Sequence, residues 1–273
     1  MPELPDLHVI VHFLHERLVG EQLDTVDIVR PIIARDLTQK GWTEQLVGQY
    51  VQEVLRRGKF LLVSWSKPVW LVVNPMRSGR LRYWPMRHND KTRPCIRLDF
   101  SRGAVLEYSD PDMMGKVYLT ASPVDVPGFS ELGPDALDPG LTAAAFAERL
   151  PHYRGEVKGV LVNQRFVAGI GNAYADEILF AAGIYPYRKV CSLTPVEVDR
   201  LHASVQAVLF KAITVLTERV EADIHVELRD FMQVHGRGAQ ACPRCGSPIS
   251  QVTARGRLTN YCRNCQPGLL VQQ

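Results

Sequence analysis

The sequence predicts an α+β chain. One helix precedes an N-terminal antiparallel β-sandwich, and a helical region follows that ends in a four-cysteine β-hairpin. Three observations carry this. Between residues 22 and 120, short runs of Val, Ile, Leu and aromatics alternate with turn residues, as sandwich strands do. Beyond a Pro- and Gly-rich stretch, the apolar spacing becomes that of helices. Near the end the chain reads Cys242-x2-Cys245-x16-Cys262-x2-Cys265. The 273 residues suffice for one large domain or two ordinary ones. A net charge of +3 permits a nucleic-acid partner without requiring one, because clustering of Lys and Arg matters more than their sum. No run approaches the ~18 apolar residues of a membrane span. No charged-then-apolar leader precedes a cleavage site. The expectation is a cytoplasmic protein without membrane contact. In a reducing compartment, six Cys of which four form two tight pairs favour a metal over disulfides.

The chain opens Met1-Pro2-Glu3-Leu4-Pro5-Asp6. Pro is small enough to permit removal of Met1, which would leave a secondary amine at Pro2. An α-amino group titrates near ~8, against ~10.4 for a Lys amine, so part of it is neutral and nucleophilic at physiological pH. Attack on a sugar aldehyde carbon would give an iminium ion, with Glu3 at hand as general acid or base. The plainer alternative is an ordinary N-terminus with Pro5 starting a helix. Leu7, Ile10, Val11, Leu14 and Leu18 form one stripe, which predicts a helix over 6–20 stopped by Gly20. His8 and His12 lie one turn apart, but no acidic third ligand is obvious. They are expected to be solvated.

Strands are expected at 25–30, 50–55, 59–65, 70–74, 81–84, 95–100 and 104–108. Arg56-Arg57-Gly58-Lys59 falls on a turn entering a strand. It is either a solvated basic turn or a phosphate contact, with Gly allowing close approach and Lys supplying charge. Residues 122–142 hold Pro123, Pro127, Gly128, Pro134, Pro139 and Gly140 with several Asp, and read as a linker. Helices follow at 141–150, 155–164 and 172–182. The longest, from 195 to about 221, starts at the capping box Thr194-Pro195-Val196-Glu197. The turn Val167-Ala168-Gly169-Ile170-Gly171-Asn172 lets backbone approach something closely, either a neighbouring helix or an anion at the next helix N-terminus. The four cysteines suit a closed tetrahedral shell around one structural zinc ion. Between them, Arg255-Gly256-Arg257 makes the tip of a basic hairpin. The domain limits expected are 1–121, a linker at 122–142, a helical domain at 143–235, and a zinc finger with tail at 236–273.

Together these motifs resemble the formamidopyrimidine-DNA glycosylase and endonuclease VIII family, over nearly the whole chain. The resemblance rests on Pro2-Glu3-Leu4-Pro5, Arg57-Gly58-Lys59, the run from Val167 to Glu177, and the cysteine element ending Tyr261-Cys262-Arg263-Asn264-Cys265-Gln266. It implies a helix–two-turns–helix motif in the helical domain and damaged or abasic DNA as partner. It further implies a monomeric DNA glycosylase and abasic-site lyase of base excision repair. By the same resemblance Pro2 forms a Schiff base at the deoxyribose C1′, Glu3 is the essential acid/base, and Lys59 belongs to the catalytic set. Asn172 and Arg257 match phosphate contacts around the flipped nucleotide, and Lys158 matches a helical-domain Lys of the family. Base chemistry needs an extruded base. The iminium then acidifies the neighbouring sugar proton, so strand nicking can follow.

Three departures stand out. Asp6 replaces the usual Glu. Formamidopyrimidine-type members fill the hole left by the flipped base with a Met, an Arg and a Phe. Here Arg77 stands at the Met position, with Met76 one residue early, while Asp112 replaces the Arg and Met114 the Phe. Met113 and Met114 can still wedge into a base stack as soft apolar groups, but Asp112 supplies none of an Arg's donors. The segment from Leu228 to Arg237 is also short where purine-excising members carry a base-covering loop. The expected preference is therefore endonuclease VIII-like: oxidised pyrimidines or abasic sites, in single-stranded or unusual DNA, rather than 8-oxoguanine. The alternatives are a non-catalytic damaged-DNA-binding protein on the same scaffold, or an RNA-binding zinc protein.

Overall fold

The structure, a computed structural model, describes residues 1–88, 93–254 and 256–268. The chain divides into two units. One comprises Met1–Ser130 with Val215–Glu227, and the other Glu131–Thr214 with the chain from Leu228 onward.

The first unit begins with α1 (Leu4–Leu18). It starts two residues earlier than the apolar stripe suggests, because Glu3 and Asp6 close a capping box around Pro5. The strands are β1 (Leu23–Ile28), β2 (Ala34–Asp36), β3 (Val51–Arg57), β4 (Phe60–Trp65), β5 (Trp70–Asn74), β6 (Arg80–Trp84), β7 (Ile96–Phe100), β8 (Val105–Ser109) and β9 (Lys116–Thr120), with a short helix α2 (Trp42–Leu46) after β2. They form two sheets, ordered β1-β7-β8-β6 and β2-β9-β5-β4-β3. The expected sandwich is present, with additions. Sequence periodicity misses α2, β2 and β9. β2 is three residues long and pairs parallel to β9, too short for alternation to register. The runs Leu61–Val63 and Leu71–Val73 are buried throughout, as central strands covered on both faces are.

The second unit contains α3 (Ala143–Arg149), α4 (Val157–Leu161), α5 (Asn172–Ala182) and most of α6 (Pro195–Val220), then the hairpin β10 (Ser250–Ala254) and β11 (Arg257–Tyr261). The α6 start follows its capping box. Thr194 N donates to Glu197 Oε2 at 2.8 Å, and Glu197 N donates to Thr194 Oγ1 at 3.4 Å. α4 is shorter than expected, ending at Leu161, because the chain turns at Asn163 to build the glycine loop. Residues 215–227, assigned by sequence to the helical domain, group instead with the first unit. Leu216, Val220 and Ile224 are buried there, and Ile224 lines an apolar void with Pro2, Leu61, Val73 and Leu81. Among the described residues, no helix is long and apolar enough to cross a membrane.

Candidate active site and zinc-stabilised nucleic-acid interface

In the first unit the N-terminus is held by α1. Glu3 is only 2% exposed. Its carboxylate accepts from the Asp6 backbone N–H, while Glu3 N donates to Asp6 Oδ2 at 2.8 Å. The short Asp6 side chain is long enough for this return bond. Glu3 thus caps the helix and lies beside Pro2. Both carboxylates also sit at the positive end of the helix dipole. Pro2 is buried. The α-amino group of Met1 pairs with Glu227, at 2.7 Å to Oε1 and 3.0 Å to Oε2. Arg80 Nη2 reaches the same carboxylate at 2.9 Å.

Lys59 occupies a two-residue turn between Arg57 and Phe60, which pair across β3 and β4. Gly58 takes φ +57° at the first central position, where a hairpin turn of this kind needs glycine. Arg56 Nη1 donates to Gly58 O at 3.0 Å and stiffens the turn.

The turn after β5 and the loop after β8, which carry Arg77 and Asp112 to Met114, are fastened to each other. Ser78 Oγ donates to Asp110 Oδ1, Asp112 N donates to Ser78 Oγ at 3.1 Å, and Gly115 N donates to Asp110 Oδ2 at 2.6 Å. Beneath them lies Tyr108. A Cβ on Gly79 or Gly115 would sit 2.2 or 2.0 Å from its hydroxyl oxygen, so both positions require glycine. Burial, reinforced by Asp110, pushes the Tyr108 phenol far up, and it stays neutral. The result is a ledge with Met76 37% and Met114 43% exposed. Arg77 and Asp112 are also exposed, and Met113 is half-buried. Met76 and Met113 adopt φ +48° and +53°, conformations uncommon for side-chain-bearing residues. Ser78 and Asp110 were missed by sequence reasoning, since each alone reads as a turn residue.

In the second unit the glycine loop packs on itself. Gln164 Nε2 donates to Ile170 O at 2.8 Å, and Gly169 N, at φ +105°, donates to Gln164 Oε1 at 2.9 Å. This delivers Asn172 to the first turn of α5, where its Nδ2 donates to Leu258 O at 2.8 Å. Lys158 is 6% exposed. Its ammonium donates to Leu258 O at 2.8 Å and Thr259 Oγ1 at 2.9 Å, and pairs with Asp176 Oδ1 at 2.6 Å. Lys158 is thus directed into the protein, where it fixes β11. Asp176, fully buried, also accepts from His235 Nδ1 at 2.8 Å and Asn260 N at 3.0 Å. This junction holds Arg257, exposed at the start of β11, one residue from the carbonyl that Lys158 and Asn172 grip. Arg255 lies outside the described residues, as does the tail 269–273. Removing one partner of a buried pair strands the other charge. Lys158→Met is therefore expected to lower unfolding stability by about 3–5 kcal/mol, read by urea denaturation with the m-value unchanged.

Cys242, Cys245, Cys262 and Cys265 bring four Sγ atoms within 4.8 Å of one another. Cys245 and Cys262 are 3.5 Å apart, and Cys242 and Cys265 3.8 Å. A tetrahedron with Zn–S of ~2.3 Å has edges of about 3.8 Å, so the four thiols fit one zinc ion with no position left open. Hydrogen bonds from the Ser247 side chain and backbone lower Cys245 to about 6, while desolvation raises Cys262 and lifts Cys265 to about 12. Cys242 and Cys262 pack with Phe180, Val234 and Ile249. Gln266, fully buried, accepts from Cys262 N and donates to Ile184 O, tying the knuckle to the end of α5. Among the described residues no other group of His, Cys, Asp and Glu has metal-binding geometry. His8, His12 and His15 are exposed on α1.

The formamidopyrimidine-DNA glycosylase N-terminal domain model matches residues 1–117, the H2TH domain model of the same enzymes 132–222, and the zinc finger found in FPG and IleRS 239–268. A formamidopyrimidine-DNA glycosylase of Symbiobacterium thermophilum is 34% identical over 98% of this chain and 90% of its own length. One of Moorella thermoacetica is 36% identical over 92% and 94%. The chain belongs to the formamidopyrimidine-DNA glycosylase family. It is a DNA glycosylase and abasic-site lyase of base excision repair with one structural zinc. Solved members of the family have the same fold. The Lactococcus lactis enzyme, non-covalently bound to DNA containing an abasic site, matches with a TM-score of 0.85 at 26% identity, covering 97% of this chain and all of that one. A MutM complex with carbocyclic 8-oxo-G DNA matches with a TM-score of 0.87 at 27% identity, covering 98% of this chain and all of that one. Against that family background, Glu227 and Arg80 are two further residues that sequence reasoning missed. Nothing in linear order joins position 227 to position 1.

Proposed function

We propose that this glycosylase acts through a Schiff base formed by Pro2, with DNA bearing a damaged or abasic nucleotide as its substrate. The observation that carries the reading is the N-terminal constellation: Pro2 buried against an apolar floor, followed in the chain by Glu3, whose carboxylate is held by the α1 cap. The neutral Pro2 nitrogen attacks C1′ and the base departs. Glu3 then protonates O4′ as the C1′–O4′ bond breaks, leaving an iminium ion. Loss of a C2′ proton expels the 3′ phosphate and nicks the strand. Lys59, on its stiffened turn, and Asn172 and Arg257, at the α5–β11 junction, suit the phosphates around the flipped nucleotide. Lys158 serves by holding β11 in place.

The ledge of Met76, Arg77, Asp112 and Met114 supports an endonuclease VIII-like substrate range. Two methionines offer soft apolar contact to a base step. The Asp112 carboxylate repels the backbone of a tightly held duplex and gives an orphaned base no guanidinium donors. Oxidised pyrimidines and abasic sites, in single-stranded or unwound DNA as well as duplex, are favoured over 8-oxoguanine. Relatives of this chain carry the name formamidopyrimidine-DNA glycosylase, so formamidopyrimidine lesions belong in the same test. The test is a lesion panel in single-stranded, duplex and forked DNA, with borohydride trapping of the Met-trimmed protein as readout. Covalent adducts on abasic and oxidised-pyrimidine DNA are expected. Trapping confined to 8-oxoguanine opposite cytosine would sink the substrate assignment. Tight binding with no adduct on any substrate would favour the non-catalytic reading that Asp112 also motivates.

A further inference from the structure

Sequence and family resemblance supply the Pro2 nitrogen with one acid/base group, Glu3. The reaction involves two proton transfers at this centre, one off the nitrogen and one onto O4′. When a secondary amine bonds to C1′, its nitrogen still carries hydrogen and becomes cationic. That proton must leave before the nitrogen lone pair can form the C=N bond and expel O4′. A second carboxylate near Pro2 would take this proton while Glu3 gives one to O4′, so that the two transfers need not pass through one group in turn.

Glu227 has the geometry for this. Its carboxylate oxygens lie 2.7 and 3.0 Å from the α-amino nitrogen of Met1. The Met1 and Pro2 nitrogens are separated by three covalent bonds, at most about 3.6 Å. The carboxylate therefore stands within roughly 6 Å of the Pro2 nitrogen, a reach closed by a side-chain movement or one water. Glu227 is also carried by a segment seated on the same floor as Pro2. Glu221, at φ +45°, ends α6. The chain then turns through Asp223 N to Val220 O and Val226 N to Asp223 O, both 2.9 Å. Ile224 lines the same apolar void as Pro2.

The surrounding charges suit a base. Arg80 Nη2 lies 2.9 Å from Oε1. His225, two residues earlier, is lowered by burial and by Arg82 and Arg80, against an opposing effect of Asp223. It adds no competing cation near neutrality. The partners lie 226 residues apart in sequence.

We propose that Glu227 is a further catalytic residue, the base that accepts the proton from the Pro2 nitrogen as the Schiff base forms. This rests on the Pro2 reading above. The N–C1′ bond forms and the base leaves. Glu227 takes the N–H proton. The freed electron pair makes the C=N bond as C1′–O4′ breaks, and O4′ receives its proton from Glu3. Attack at C1′ makes the nitrogen proton more acidic than in a simple ammonium, because oxygen is bonded to the same carbon, so a carboxylate is a competent acceptor.

The test compares Met-trimmed wild type, Glu227→Gln and Glu227→Ala in single-turnover borohydride trapping on abasic DNA. Affinity is measured separately on DNA with a tetrahydrofuran abasic analogue, which cannot react. Glu227→Gln is expected to trap about 10²-fold more slowly, with affinity unchanged. Formate, supplied in solution, is expected to restore a large part of the Glu227→Ala rate, which a purely structural role would not allow. Trapping by Glu227→Gln at the wild-type rate overturns the assignment, as does a slowing that formate leaves untouched and that is matched by weakened affinity. A wild type that forms no adduct overturns the Pro2 reading and this role with it. A wild type that traps beside an equally fast Glu227→Gln overturns the role of Glu227 alone.

Discussion

Glu3→Gln is expected to slow Schiff-base formation, read as borohydride trapping on lesion-bearing DNA, by about 10²–10⁴-fold, while the protein melts at the wild-type temperature. The separation of the two effects follows from the dual position of this side chain. Its carboxylate accepts the Asp6 N–H and caps α1. A Gln side chain keeps the carbonyl oxygen that does so, and Glu3 N still donates to Asp6. What Gln cannot do is give a proton to O4′. Glu3→Ala would mix the two effects, since losing a helix cap costs about 0.5–2 kcal/mol. Single-turnover trapping and a thermal melt, run on both variants, distinguish them. Full activity in Glu3→Gln would remove this residue from the chemistry.

Loss of zinc is expected to have the second large effect. Structural zinc contributes about 10–16 kcal/mol to folding in isolated finger peptides. With a closed four-thiolate shell, Cys262→Ser or a strong chelator is expected to unfold residues 239–268 locally. The consequence extends beyond the finger. Leu258 O accepts from both Lys158 and Asn172, and Asp176 holds Asn260 N. Without the hairpin the buried Lys158–Asp176 pair is stripped of these supporting groups, and Arg257 loses its mounting. Affinity for abasic-analogue DNA is expected to fall by at least about tenfold. The slope of log affinity against log salt should flatten by about one unit for each phosphate no longer gripped. Hydrogen exchange should report opening of β10 and β11 while β4 and β5 remain protected. Undiminished affinity in a protein shown to be zinc-free would separate the finger from DNA binding.

The sequence by itself determined a good deal of this protein, and for local reasons. Cysteine spacing specifies a tetrahedral thiolate shell because each close pair needs only a short turn. The α5 and α6 limits follow from a glycine loop, a left-handed Gly183 and a capping box, all interactions within a few residues. Alternating apolar runs gave most strands of the sandwich. Motif order, from Pro2-Glu3 to Cys265-Gln266, identified the family. What escaped was non-local. β2 and β9 pair in parallel, Ala34 opposite Val117, and nothing in the short run Ala34–Asp36 announces it. Lys158, a basic residue on α4, is known from sequence only as the match to a helical-domain Lys of the family. Only the packing of α4 against α5 and β11 turns its ammonium inward to Asp176. Ser78 and Asp110 look like ordinary turn residues until the two loops meet over Tyr108. Glu227 is the clearest case. Its meaning depends on the carboxylate reaching the other end of the chain, and such closeness is decided by which apolar faces bury together. Local spacing could nominate the nucleophile and its first carboxylate; the burial of Ile224 beside Pro2 brought the second.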